Sequence, residues 1–202
     1  RAAAPGTAEF DLFVAEVVRE MTVKAGQKCT AIRRALVPSV YLDAATEALA
    51  AALVDVRVGD PANPDTQMGA LVGADQREEV RGAVMALRSA ADVVVDTCEF
   101  QDVDPDAGAF HAPTLLRATD PVARTVHATE AFGPVCTLVG YDGPDDAVRL
   151  AALGAGSLVA SVVSPDAEEA ASLTIGIAAH HGRVHVLDAT TAATSTGHGS
   201  PL

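Results

Sequence analysis

Residues 133–188 read GPVCTLVGYDGPDDAVRLAALGAGSLVASVVSPDAEEAASLTIGIAAHHGRVHVLD. GPVCTLVGY (133–141) is almost wholly apolar, as a strand covered on both faces must be. GPDDAVRLAALGAG (143–156) then reads as a helix, LVASVVS (158–164) as a strand, PDAEEAASLTIGIAAH (165–180) as a helix and RVHVLD (183–188) as a strand. Strands separated by helices of this length point to parallel βαβ units.

The same alternation extends toward the N-terminus. HAPTLLRA (111–118) and ADVVVD (91–96) read as strands, and ADQREEVRGAVMALRSA (74–90) as a helix. Further up, Phe10, Phe13, Val14, Val17, Val18 and Met21 recur at the spacing of one helix face, with Thr7 as N-cap. Gly26 ends that helix, and a loop carrying Lys28, Cys29 and Thr30 leads to a short strand, ALVP, stopped by Pro38. A second helix runs through YLDAATEALAAAL (41–53). Residues 54–69, with two prolines, glycines and acids, read as a surface connection, and residues 99–109 as an exposed turn. The expectation is an α/β fold, an open and mostly parallel sheet with helices on both faces, forming one domain over residues 1–202.

Composition narrows the function classes. The 202 residues are 49% apolar, enough for a substantial core. Lys plus Arg number 14 against 27 Asp plus Glu, a formal charge of -13 that repels phosphate backbones and anionic headgroups. Aromatics make up 3%, which argues against base-stacking platforms. No nucleic-acid or membrane partner is expected. No apolar run approaches the ~20 residues of a membrane helix, and the start, RAAAPGTAEF, has no apolar signal core. Three cysteines without a CxxC pair make no disulfide framework. A soluble, reduced, cytoplasmic protein follows, and the absent initiator Met hints at a fragment.

Cys29 is the most informative residue. A cysteine nucleophile reacts as thiolate, and Lys28, Arg33 and Arg34 are nearby cations of the kind that favour one. The alternative is a small hydrophobe in a loop. Cys98 lies in an acidic loop that should raise its pKa, and Cys136 lies inside an apolar strand; both read as bystanders. Glu130, Phe132 and a Gly-Pro turn stand at the entrance of the strand at 133–141. Two carboxylate oxygens match two vicinal ribose hydroxyls, although a solvated Glu before a turn fits as well. GAGSLVA (154–160) imitates a dinucleotide-binding glycine string, but it follows a helix and opens a strand, the reverse of that fingerprint. Gly154 and Gly156 therefore read as a helix C-cap and turn. The six histidines have no ligand-pair spacing, so no metal is expected.

EMTVKAGQKCTAIRRALVP (20–38), GDPANPDTQMGALVG (59–73), FHAPTLL (110–116), EAFGPVCTLVGY (130–141), LGAGSLVASVVSPD (153–166) and HGRVHVLD (181–188) together resemble the aldehyde dehydrogenase superfamily. Order and spacing match from about residue 10 to about residue 188. KAGQKCTAIRRALVP with the ending STGHGSPL (195–202) is similar to the dehydrogenase domain of bifunctional ring-opening proteins of phenylacetate degradation, which add a hydratase domain.

The resemblance implies a catalytic, cysteine-bearing domain. Cys29 matches the nucleophile that forms a thiohemiacetal and then a thioester, its backbone N–H helping to hold the oxyanion. Glu130 matches the carboxylate on the nicotinamide ribose and Phe132 the ring beside the nicotinamide, with NAD or NADP as cofactor. His198 and Ser200 match an ending close to the active site. Lys28, Gln27 and Thr30 flank the nucleophile and are read as setting its environment. An aliphatic semialdehyde, CoA-linked in this branch, is the implied substrate. The family's cofactor domain, general-base glutamate and oxyanion asparagine have no counterpart in these 202 residues, so the chain alone is expected to be inactive or nearly so. Its expected partners are that upstream cofactor domain and further copies in a homo-oligomer. The rivals are a non-enzymatic subunit or scaffold and a CoA-acylating dehydrogenase.

Overall fold

The computed structural model describes residues 3–194 and 197–199. Helix α1 (Ala8–Thr22) begins where Thr7 Oγ1 accepts a hydrogen bond of 3.3 Å from the Phe10 N–H, the cap expected of that residue. There follow β1 (Arg34–Pro38), α2 (Leu42–Val54), β2 (Val58–Gly59), α3 (Ala74–Leu87), β3 (Ala91–Val95), β4 (Phe100–Gln101), β5 (Thr114–Ala118) and α4 (Arg124–Ala128). The chain continues through β6 (Val135–Tyr141), α5 (Pro144–Ala152), β7 (Ser157–Val163), α6 (Ala167–Ile177) and β8 (His181–Leu187). The α/β alternation legible at residues 133–188 is present element by element.

The strands make a four-stranded sheet of order β1-β6-β5-β3 and two pairs, β2-β4 and β7-β8. β6 lies parallel to both neighbours, with Leu36 opposite Val139 and Leu116 opposite Thr137. β3 runs antiparallel to β5, because no helix intervenes between them to return the chain for a parallel pairing. The sheet is thus mostly parallel, as the sequence implies. The expectation of one continuous sheet needs correction: β7 and β8 pair with each other across α6, and among the described residues neither joins β1.

Two loop readings are also corrected. Residues 54–69 are more than a surface connection, since Val58 and Met68 are buried and the Gly59 N–H reaches the Met68 carbonyl at 3.0 Å. Within 99–109, Phe100 turns inward, packs edge-on against Phe110 and pairs through β4 with β2. The turn after α5 places Ala155 (φ 57°) and Gly156 (φ 122°) in the left-handed region. Gly154 instead leaves room for the Arg34 guanidinium, which bonds to the Leu150 carbonyl at 3.2 Å and to His127.

The main core joins α1 and α2 to the four-stranded sheet through Leu49, Leu53, Leu115, Leu116 and Leu138, all fully buried. Each such side chain contributes about 1.5–3 kcal/mol relative to exposure. A smaller cluster of Val162, Ala170 and Ile177 holds α6 on β7. Among the described residues no helix is long and apolar enough to cross a membrane.

Candidate active site

The loop carrying Cys29 follows directly from the end of α1. Lys24 (φ 55°), Ala25 (φ 51°) and Gly26 (φ 67°) are consecutively left-handed, which turns the chain back toward β1. Left-handed backbone costs about 1–2 kcal/mol for each non-glycine residue, so this loop stores strain that its surroundings must hold. Gly26 has a second constraint: a Cβ there would collide with the Gly133 and Met21 carbonyls. Gln27 Oε1 accepts from the Val72 N–H at 2.8 Å and ties the loop to the far side of the domain.

Six residues on, Arg33 runs back under the loop. Its Nη1 donates to the Gly26 carbonyl at 2.9 Å and the Gly133 carbonyl at 3.1 Å, and its Nη2 to the Lys28 carbonyl at 3.0 Å. Its Nε stands 3.7 Å from Glu130 Oε1, and its guanidinium lies over the Phe132 ring at 5.1 Å from the centroid. One side chain therefore joins the Cys29 loop to the Glu130–Gly133 loop. Burial pulls the Arg33 pKa below its ordinary value, and the Glu130 carboxylate opposes that shift.

Lys28 and Thr30 flank the nucleophile candidate in different ways. Lys28 Nζ meets Glu20 Oε2 at 2.5 Å, and the Glu20 side chain is only 1% exposed. Thr30 Oγ1 reaches the Gly199 carbonyl at 3.5 Å. His198 is buried, shares a 2.7 Å hydrogen bond with Ser161 on β7, and donates its backbone N–H to Glu16 Oε2 of α1 at 3.4 Å. Arg183 of β8 donates to the His198 carbonyl. Burial lowers the His198 pKa, with Glu20, the Thr30 backbone and Glu16 acting against it. Ser200 lies outside the described residues.

Cys29, Thr30, Glu130, Phe132 and His198 all line one cavity of about 1070 Å³, which continues between β1 and β7. Its walls are mixed in character and include Val159, Val162 and Ile177. Cys29 is exposed, Cys98 is half-buried and Cys136 is buried. Burial lifts the Cys98 thiol to about 11 and the Cys136 thiol to about 12. The sequence had assigned the Cys98 shift to acidic neighbours; desolvation is its cause.

Two expectations about cations change. Lys28 is bound to Glu20, and Arg34 points away toward His127 and the end of α5. Arg33 and Glu20 are the residues that sequence reasoning missed in their roles. For Glu20 a signal existed: it stands three residues after Val17 and four after Glu16, on a flank of the apolar face of α1. For Arg33 none did, because its partners lie about a hundred residues away.

An exposed thiol on a strained helix-to-strand loop thus shares one cavity with a carboxylate and an aromatic ring from a second loop of an α/β fold. The chain belongs to the aldehyde dehydrogenase family, whose model matches residues 5–199. It is 48% identical over 204 aligned residues to a 3,4-dehydroadipyl-CoA semialdehyde dehydrogenase of Aromatoleum evansii, covering 99% of this chain and 40% of that protein. It is 44% identical over 136 residues to Protein MaoC of Klebsiella aerogenes, covering 67% of this chain and 40% of that protein. Among solved structures, betaine aldehyde dehydrogenase of Staphylococcus aureus in complex with NAD+ superposes with a TM-score of 0.80 at 27% identity, over 89% of this chain and 35% of that one. The chain spans about 40% of the length of these two curated relatives.

Proposed function

We propose that this chain is the nucleophile-bearing domain of an NAD(P)-dependent aldehyde dehydrogenase, with Cys29 as the attacking residue. The observation that carries the reading is the meeting of an exposed Cys29 with Glu130 and Phe132 at one cavity, while the other two thiols are withdrawn into the protein. The Cys29 sulfur adds to the aldehyde carbon, a C–S bond forms, and the carbonyl oxygen takes up a proton to give a thiohemiacetal. The Cys29 backbone N–H lies on the turn that Arg33 fixes, where it donates to the developing oxyanion.

Glu130 and Phe132 suit a nicotinamide dinucleotide. The carboxylate, 3.7 Å from Arg33 Nε, is 64% exposed and open on its solvent side to accept from ribose hydroxyls, and the ring is 41% exposed beside it. NAD or NADP, when bound, supplies hydride acceptance and leaves a thioester on Cys29 for water to hydrolyse. The cofactor-holding domain and the general base belong to the larger family protein, which docks against this domain and assembles as an oligomer. A CoA-linked aliphatic semialdehyde is the substrate, a reading supported by the near-complete alignment with the semialdehyde dehydrogenase of Aromatoleum evansii.

Thiohemiacetal formation needs no cofactor, so the chain itself permits a test. Iodoacetamide labelling resolved by peptide is expected to modify Cys29 well before Cys98 and Cys136. Millimolar aliphatic semialdehyde is expected to protect Cys29, and the corresponding alcohol is not. Labelling of Cys29 that an aldehyde leaves unchanged overturns the proposal.

A further inference from the structure

Five charged groups besides the thiol crowd the Cys29 loop, and they fall into two sets. On the α1 side, Lys28 Nζ is bound at 2.5 Å to the Glu20 carboxylate, with the Lys28 side chain 14% exposed. A lid of backbone seals this pair: a Cβ on Gly199 would stand 2.7 Å from Glu20 Oε2 and 2.9 Å from Lys28 Nζ. His198, whose pKa burial lowers, sits beside it with Glu16. On the other side, Arg33 bonds to the carbonyls of Gly26, Lys28 and Gly133. Its nearest carboxylate, Glu130, is 3.7 Å away and largely in water.

A charge acts on a neighbour only to the extent that no counter-ion cancels it. The Lys28 ammonium and the Glu20 carboxylate in direct contact present Cys29 with little net field. Arg33 spends its N–H groups on neutral carbonyls, which orient the guanidinium without cancelling its charge, and solvent screens the longer contact to Glu130. Arg33 also fixes the backbone leading into Cys29, through the Gly26 and Lys28 carbonyls. Arg33 thus holds both the position and the electrostatic setting of the thiol.

We propose that Arg33, and not the adjacent Lys28, is the positioning residue that sets the charge environment of Cys29, and that Glu20 is present to silence Lys28. The role in catalysis rests on Cys29 being the nucleophile; the electrostatic assignment does not.

The test is the pH dependence of Cys29 alkylation in the whole chain and its variants, each checked for folding by thermal melting. Arg33→Met is expected to raise the midpoint by about half a unit to one unit, slowing alkylation ~3–10-fold below it, because an uncancelled cation favours the thiolate. Arg33→Lys keeps the charge and is expected to restore most of that loss. Glu20→Gln frees Lys28 and is expected to lower the midpoint by about half a unit. The double variant Glu20→Leu with Lys28→Met removes a self-cancelling pair and is expected to leave the midpoint within about 0.2 unit. The proposal is overturned if a folded Arg33→Met chain keeps the parent midpoint, or if the double variant moves it as far as Arg33→Met does. Should Arg33→Met fail to fold, an unmoved midpoint in Glu20→Gln overturns it equally. Failure of the dehydrogenase reading looks different: aldehyde does not protect Cys29, while the midpoints still shift as stated.

Discussion

The four-stranded sheet and the β7–β8 pair are built from similar strands, yet they are buried to different depths. In β5 and β6 every residue from Thr114 to Leu116 and from Val135 to Val139 is buried. In β7 only Val162 is, and Leu158 is 55% exposed. Apolar content does not explain this, since LVASVV is as hydrophobic as many central strands. Position does. β6 has a strand on each edge and helices above and below, whereas among the described residues β7 is flanked only by β8 and faces the cavity on its other edge. A parallel strand becomes core through its neighbours on both sides, so the first region carries the stability and the second shapes the site.

The largest expected contrast is in packing. Leu138→Ala in β6 should lower stability to denaturant by about 2–5 kcal/mol, while Leu158→Ala in β7 should change it by less than about 0.5 kcal/mol. Equal costs would show that the two regions share one core. A smaller contrast concerns two left-handed glycines. Gly26→Ala adds a collision with the Gly133 carbonyl to its backbone strain and should cost about 3 kcal/mol or more; Gly143→Ala, at φ 89° and ψ 166°, faces open space and should cost about 1–3 kcal/mol of backbone strain alone. Melting temperatures of the two variants check the order.

The smallest contrast is in pH dependence. Burial holds the pKa of His111, near the main sheet, and of His185, on β8, below the ordinary histidine value of 6.5. The unfolded chain therefore takes up protons below pH 6.5 that the folded chain still refuses, and stability falls as the pH drops through that window. The melting temperature at pH 5.5 should be lower than at pH 7.5. His111, the more deeply buried, should account for more of the fall: His111→Gln should flatten it more than His185→Gln does.

The sequence made the alternation of elements legible because periodicity is local. The Thr7 cap, the strand at 133–141 and both helices after it follow from spacing within a dozen residues. The separation of β7–β8 from β1 was not legible, since which strand edges meet is decided by residues far apart in the chain. The same division runs through the site. Cys29, Glu130 and Phe132 stood out as candidates because short motifs frame them, and they line one cavity. Glu20 and Arg33 were not given their roles, because one is a buried charge hidden on an amphipathic helix and the other acts through contacts to backbone carbonyls, which leave no trace in residue type.

The contact of Gly26 with the Gly133 carbonyl has a mechanical consequence. With no side chain between them and one guanidinium stitched across both, neither loop has room to slide past the other. Moving the thiol away from the carboxylate and the ring would therefore break the Arg33 bonds that join the two loops, so the three groups are held at a fixed spacing before any ligand arrives.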